Sequence, residues 1–250
     1  MSRILNEAFL ERVLRECTDW GYTTLTALEC LLGEHRSRIL RYTLELEKRR
    51  YLIAMGYASQ VSRTSPFKGR WMYVSQKNAT RFASVLPRRL KAPPQAIRHT
   101  LSGPRGIYTS SGLLVPTHYA ASVVAASWIA QLLASTSLVD FTIESEYRLR
   151  SRSVSSGFAV IDPPDFAIFF EHPSVPFVRV EVELFSKGAS RYNRLSEQYR
   201  RNGVPVLCIA WGGPLFDELV RRYSLNPVVR VVPFGQIAAI REALGAIGLF

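Results

Sequence analysis

Four prolines, Pro87, Pro93, Pro94 and Pro104, fall within the basic stretch Leu86–Arg105, and neither a long helix nor a central strand runs through such a segment. The chain is therefore expected to build two separately cored parts: a first domain over 1–86, a linker over 87–110 and a second domain over 111–250. With 250 residues, 47% of them apolar, both parts have the material for a core.

Charge divides along the same line. Residues 1–105 hold 19 Lys and Arg against 8 Asp and Glu, whereas residues 106–250 hold 13 against 12. Most of the formal net charge of +12 thus belongs to the first part. Such an asymmetry points to a dedicated module for a polyanionic partner, double-stranded DNA before an anionic membrane.

Apolar spacing in the first part predicts three helices. Phe9, Val13, Leu14 and Cys17 recur at helical intervals and the run stops at Gly21. A second, short helix is predicted from a Thr24 cap to Gly33. The third, Ser37–Leu52, carries Ile39, Leu40, Leu44, Leu46 and Leu52 as its apolar residues, with Arg36, Arg38, Arg41, Lys48, Arg49 and Arg50 on the remaining faces. Two strands around a polar loop, Leu52–Ser62 and Trp71–Ser75 flanking Arg63–Arg70, complete a winged helix-turn-helix. An α-helix fills the DNA major groove while flanking cations meet phosphates, so Arg36, Arg38, Arg41 and the wing residues Lys68 and Arg70 are the expected DNA contacts.

From Gly106 to Val139 no Asp, Glu, Lys or Arg occurs, and Tyr119–Ala134 is strongly apolar. Its uninterrupted apolar runs, broken at Ser122, Ser127 and Gln131, fall well short of the roughly 20 residues of a membrane span, so a buried helix is expected. The N-terminus has no secretory pattern, which suggests a cytoplasmic location. Cys17, Cys30 and Cys208 are too scattered for a disulfide framework or a zinc site and read as reduced core residues. His35, His99, His118 and His172 are likewise scattered singly, and neither a Walker loop nor a Rossmann fingerprint is present.

Chemistry is best sought in two neighbouring strands. Pro164-Asp165 leads into the apolar run Phe166–Phe170, and Phe177–Phe185 alternates so that Arg179, Glu181 and Glu183 share one face while Val178, Val180, Val182 and Leu184 share the other. Like charges gathered across adjacent strands repel, and a hard divalent cation, Mg²⁺ or Mn²⁺, relieves that repulsion while stabilising charge on a phosphodiester. Asp165, Glu181 and Glu183 are the expected metal ligands and catalytic acids. Lys187 is placed to reach the scissile phosphate, with Arg191, Arg194, Arg200 and Arg201 along the following helix. Glu144 and Glu146 are weaker candidates for the metal shell. Tyr192 and Tyr199 are expected to pack rather than to act as nucleophiles.

The order of a helix and Glu, then Pro164-Asp165, then Glu181-Val182-Glu183, then a basic helix with Gln198 and Tyr199, resembles the PD-(D/E)XK nuclease core. Preceded by a winged helix, it is similar to the replication-relaxation family and to the MobC-type relaxases of mobile plasmids. The resemblance implies an α/β (α+β) chain with a restriction-endonuclease-like second domain that binds and nicks a plasmid origin in mobilization or conjugation. A homodimer or a transfer complex would be its further partners. Glu183 stands where the nuclease motif has Lys, which leaves open a non-catalytic DNA-binding regulator of replication or transfer built on the same fold.

Overall fold

The computed structural model describes residues 5–20, 22–56, 70–74, 107–108, 114–115, 118–136, 140–150, 163–171, 175 and 177–249. The chain divides into two compact units, Met1–Ser127 and Trp128–Phe250. That division falls inside the helix His118–Thr136, while most of the proline-bearing segment expected as a linker lies outside the described residues.

In the first unit, helix α1 (Glu7–Asp19) starts where the Asn6 side chain accepts the Phe9 N–H. Strand β1 (Tyr22–Thr24) follows, and Thr24 then caps α2 (Leu25–Leu32), which ends at Gly33 with φ +64. A positive φ is natural for glycine and strained for other residues, so this tight turn into α3 (Arg36–Lys48) rests on Gly33. Strands β2 (Leu52–Gly56) and β3 (Arg70–Val74) join β1 in an antiparallel sheet of order β1-β3-β2. Leu10, Val13, Leu28, Ile39, Leu46 and Met72 form the centre of the core.

Three expectations are corrected here. Strand β1 was not anticipated, because three residues, Tyr-Thr-Thr, are too short to show an alternation. Helix α3 stops at Lys48 rather than continuing to Leu52, which opens β2; Arg50 takes a left-handed φ of 62 and turns the chain between them. Leu40 and Leu44 are exposed, and the buried stripe of α3 is Ile39, Tyr42, Thr43 and Leu46. A period of 3.6 residues sets positions 39, 42, 43 and 46 on one side and turns 40 and 44 away from it.

A two-residue antiparallel pair, β4 (Ile107–Tyr108) with β5 (Leu114–Val115), precedes the apolar helix α4 (His118–Thr136). Helix α4 is buried at Ala121, Val123, Ala125, Ile129 and Leu133, as the sequence suggested. Among the described residues no helix is long and apolar enough to cross a membrane.

The second unit is built on a five-stranded mixed sheet. Strand β6 (Phe141–Ser145) leads into a short helical stretch α5 at 146–150, and β7 (Phe166–Phe170) and β8 (Phe177–Glu183) complete an antiparallel meander with β6. From β8 the chain changes habit. Helix α6 (Ala189–Asn202), β9 (Val206–Ala210), helix α7 (Gly213–Tyr223) and β10 (Val229–Pro233) add two parallel strands, and helix α8 (Ile237–Ala246) follows. The sheet order is β10-β9-β8-β7-β6. Parallel neighbours need a crossover, and the amphipathic helices α6 and α7 supply it, burying Tyr192, Leu195, Tyr199, Leu215, Leu219 and Tyr223 against Val206, Cys208 and Ala210.

Cys17 and Cys208 are buried thiols, as expected, but Cys30 is only half-buried.

Candidate active site and nucleic-acid interface

Strand β8 carries Arg179, Glu181 and Glu183 on one face, and its parallel partner β9 sets Val206, Cys208 and Ala210 beside them. Because α6 and α7 cover the β9 side of that face, the charged side is sealed rather than solvated: Glu183 is 3% exposed and Arg179 is 9% exposed. Charges taken out of water in this way must be compensated locally.

Asp165 sits at the bend before β7. The Phe166–Val180 pair of the antiparallel ladder puts it one step further on, across from Glu181. Its Oδ2 accepts the backbone N–H of Val182 at 2.6 Å, which pins the carboxylate at the end of the β7–β8 ladder. The Asp165 carbonyl in turn accepts the N–H of Glu146 at 3.0 Å, where the chain leaves β6. Glu144, opposite Ala167 on β6, is buried on the same sheet, and Glu146 pairs with Arg150.

Glu181 accepts from two neighbours through Oε1: the Arg179 guanidinium at 3.3 Å and the Tyr199 hydroxyl at 3.3 Å. The Arg179 guanidinium also lies 5.6 Å from the centre of the Tyr199 ring, so the three side chains form one cluster. Burial, and then the nearby Asp165 charge, push the Glu181 carboxyl up to about 8 against the opposing pull of Arg179. Burial likewise drives the Tyr199 hydroxyl and the Cys208 thiol well above their ordinary values, which leaves neither as an activated nucleophile.

Glu183, expected as a metal ligand, engages Lys187: the ammonium lies 2.8 Å from Glu183 Oε1. Lys187, four residues further along the chain, thereby sets a cation beside the Glu183 carboxylate. Arg191 and Arg194 are exposed on α6, whereas Arg201 pairs with Glu197 and Arg200 bonds the Leu225 carbonyl.

Among the described residues, no set of three His, Cys, Asp or Glu side chains comes together as a ready-made metal site. The donor chemistry at Asp165 and Glu181 nevertheless fits a hard divalent cation. Two carboxyls lie close together at the end of the β7–β8 ladder, and burial and the Asp165 charge both disfavour a second negative charge on Glu181, a cost that a cation would relieve.

The sequence drew attention to the acids and to Lys187 but not to the partners of Glu181. Arg179 was visible on its face. Tyr199 was detectable only as the last member of the buried Tyr192, Leu195, Tyr199 stripe of α6, a stripe that must lie on the sheet somewhere.

On the first unit, the exposed side of α3 presents Arg36, Ser37, Leu40, Arg41, Leu44 and Lys48. The cations differ in availability. Arg38 grips both oxygens of Glu34 at 2.7 and 2.8 Å and lies 4.1 Å above the Phe9 ring, so it braces α3 against α1. Arg36 bonds Thr26 at 3.2 Å on α2. Arg41 stands exposed beside the Tyr42 ring. Arg49, just past the helix, holds Glu7 and Glu45. Lys68 lies outside the described residues, and Arg70 is the first residue of β3.

Comparison of the chain with family models, with curated proteins and with solved structures finds no match.

Proposed function

We propose that the chain is a DNA-binding protein in which a winged helix-turn-helix directs a PD-(D/E)XK-like, metal-dependent endonuclease, in the manner of the plasmid replication-relaxation and MobC-type relaxase proteins. The observation that carries this reading is the nearness of the Asp165 and Glu181 carboxyls at the end of the β7–β8 ladder, together with the Lys187 ammonium 2.8 Å from Glu183. The element order supports it: a helix, an antiparallel meander of three strands, a basic helix and a parallel strand follow one another from α4 to β9. The succession α1-β1-α2-α3-β2-β3 supports the winged helix, with α3 as the helix that enters the major groove.

Each residue then has a task. Asp165 and Glu181 would hold Mg²⁺ or Mn²⁺, which when bound supplies charge to stabilise a phosphodiester in the transition state. Tyr199 and Arg179 fix the orientation of the Glu181 carboxyl. Glu183 anchors Lys187, whose ammonium faces the phosphate oxygens, while Arg191 and Arg194 grip the flanking backbone. Arg41, Arg36 and Lys48 hold duplex phosphates along α3.

The reading is tested by incubating supercoiled plasmid with the chain in Mn²⁺ and in EDTA. Conversion to open circles only in the metal supports an endonuclease. Unchanged plasmid in both lanes, with duplex still retained in a gel shift, favours the second reading, a non-catalytic regulator of plasmid replication or transfer. A specific observation speaks for that second reading, since Arg179 and Lys187 already occupy Glu181 and Glu183 from within the fold.

Two of the arginines of α3, Arg38 and Arg41, give a separate check on the DNA interface. Arg41→Ala is expected to lower the slope of log affinity against log salt by about one. Arg38→Ala is expected to leave that slope unchanged while lowering the melting temperature, because its guanidinium is spent on Glu34 and Phe9. Equal loss of slope in the two variants would count against this division of roles.

A further inference from the structure

Two large apolar side chains stand on the outer face of α3 among its cations: Leu40 at 36% exposure and Leu44 at 45%. The helix does not need them for its own packing, since its buried stripe is complete with Ile39, Tyr42, Thr43 and Leu46. Leaving leucine in water forgoes burial that a polar residue would not miss, so this pair is best explained by a partner that covers it.

The surroundings say which partner. Ser37, Arg41 and Lys48 lie along the same exposed stripe at helical spacing, and Arg36 flanks its start. A surface with cations around two isolated methyl-rich side chains is a poor seat for a second copy of this basic face, which would bring like charges together. It is complementary to a nucleic-acid groove, where phosphates line the rims and the floor offers one apolar group, the 5-methyl of thymine. A helix about 10–12 Å across fills a major groove about 12 Å wide.

From this geometry we infer that Leu40 and Leu44 read thymine methyls on the floor of the major groove, while Ser37 and Arg41 contact the adjacent base edges and rims. The inference rests on the DNA-binding reading above and deepens it by assigning sequence readout to two of the apolar residues of α3. Four helical residues rise about 6 Å, close to two base-pair steps of about 3.4 Å, so the two leucines address thymines about two steps apart.

The test selects duplexes from a random-sequence pool with the full chain, then replaces each thymine of the recovered site by deoxyuridine, which removes the 5-methyl alone. Loss of affinity of about fourfold per contacted methyl is expected for the wild type, at two positions about two steps apart. Leu40→Ala with Leu44→Ala should bind thymine and deoxyuridine duplexes alike. Both side chains are exposed, so the variant is expected to keep the wild-type melting temperature, and the deoxyuridine series on the wild type needs no variant at all.

Specific duplex binding that ignores every thymine methyl would overturn this inference and leave the DNA-binding reading standing. Absence of salt-sensitive duplex binding would overturn both. A wild-type dimer in sedimentation that becomes a monomer in the double variant would instead assign the leucines to a second copy of the chain.

Discussion

Asp165→Asn is expected to abolish metal-dependent plasmid relaxation, lowering the rate at least about a hundredfold, while duplex affinity stays within about twofold of the wild type. The substitution is chosen from the geometry. Asp165 Oδ2 accepts the Val182 N–H at 2.6 Å, and an asparagine oxygen can take the same bond, so the strand end keeps its partner and only the charge is lost. Alanine removes the acceptor as well and is expected to cost about 1–3 kcal/mol of stability by stranding a backbone donor. A loss of cleavage in Asp165→Ala alone, with Asp165→Asn active, would therefore locate the effect in folding and overturn the metal-ligand role. Lys187 provides the comparison within the same site. Its replacement by Ala removes the cation beside Glu183 without touching Asp165 or Glu181, and a loss of about tenfold to a hundredfold is expected, partly restored by Arg. Melting curves and gel shifts on the same preparations separate chemistry from stability and from binding.

How far the sequence could lead is clearest at β8. The alternation Phe-Val-Arg-Val-Glu-Val-Glu is enough to put Arg179, Glu181 and Glu183 on one face, and Pro164-Asp165 before an apolar run is enough to place an acid at the start of the adjacent strand. Alternation does not say what lies over the charged face. In the fold, α6 and α7 close its β9 side, so Glu183 is buried and Glu181 partly covered beside the buried Arg179 and Tyr199, while Lys187 reaches Glu183 from the exposed end of the strand. Helix α3 gives the opposite lesson. Four of its leucine and isoleucine residues look alike in sequence, yet the period of 3.6 splits them, burying Ile39 and Leu46 and exposing Leu40 and Leu44. Counting apolar residues along a helix overstates its core whenever the period turns some of them outward. Strand β1 was illegible for a third reason: a three-residue strand owes its existence to the neighbour β3, not to its own pattern.

The Glu181 carboxyl allows a prediction that joins stability to function. Its value, pushed up to about 8 by burial and by Asp165, lies far above the ordinary 4.5, so between these limits the folded chain keeps a proton that the unfolded chain has released. Stability is therefore expected to fall as pH rises from about 4.5 through about 8, by an amount on the order of a few kcal/mol, with no contribution from this group below that window. The groups that face it are Asp165 from β7, Arg179 and Glu183 from its own strand, Tyr199 from α6 and Cys208 from β9, with Lys187 beyond Glu183. Tyr199 and Cys208 are themselves shifted upward and stay neutral through the window, so they do not mask the effect. Glu181→Gln mimics the protonated carboxyl and keeps an acceptor for Arg179 and Tyr199. It should match the wild type at pH 5 and melt about 5–10 °C higher at pH 8.5. Mn²⁺ at pH 8.5 should recover the same stability for the wild type by taking the place of the proton lost above about 8, and should do nothing for Glu181→Gln. A wild-type melting temperature flat from pH 5 to pH 8.5 and indifferent to Mn²⁺ would mean that Arg179 alone balances an ionised Glu181. The cluster would then be a structural ion pair, and the non-catalytic reading of the second unit would prevail.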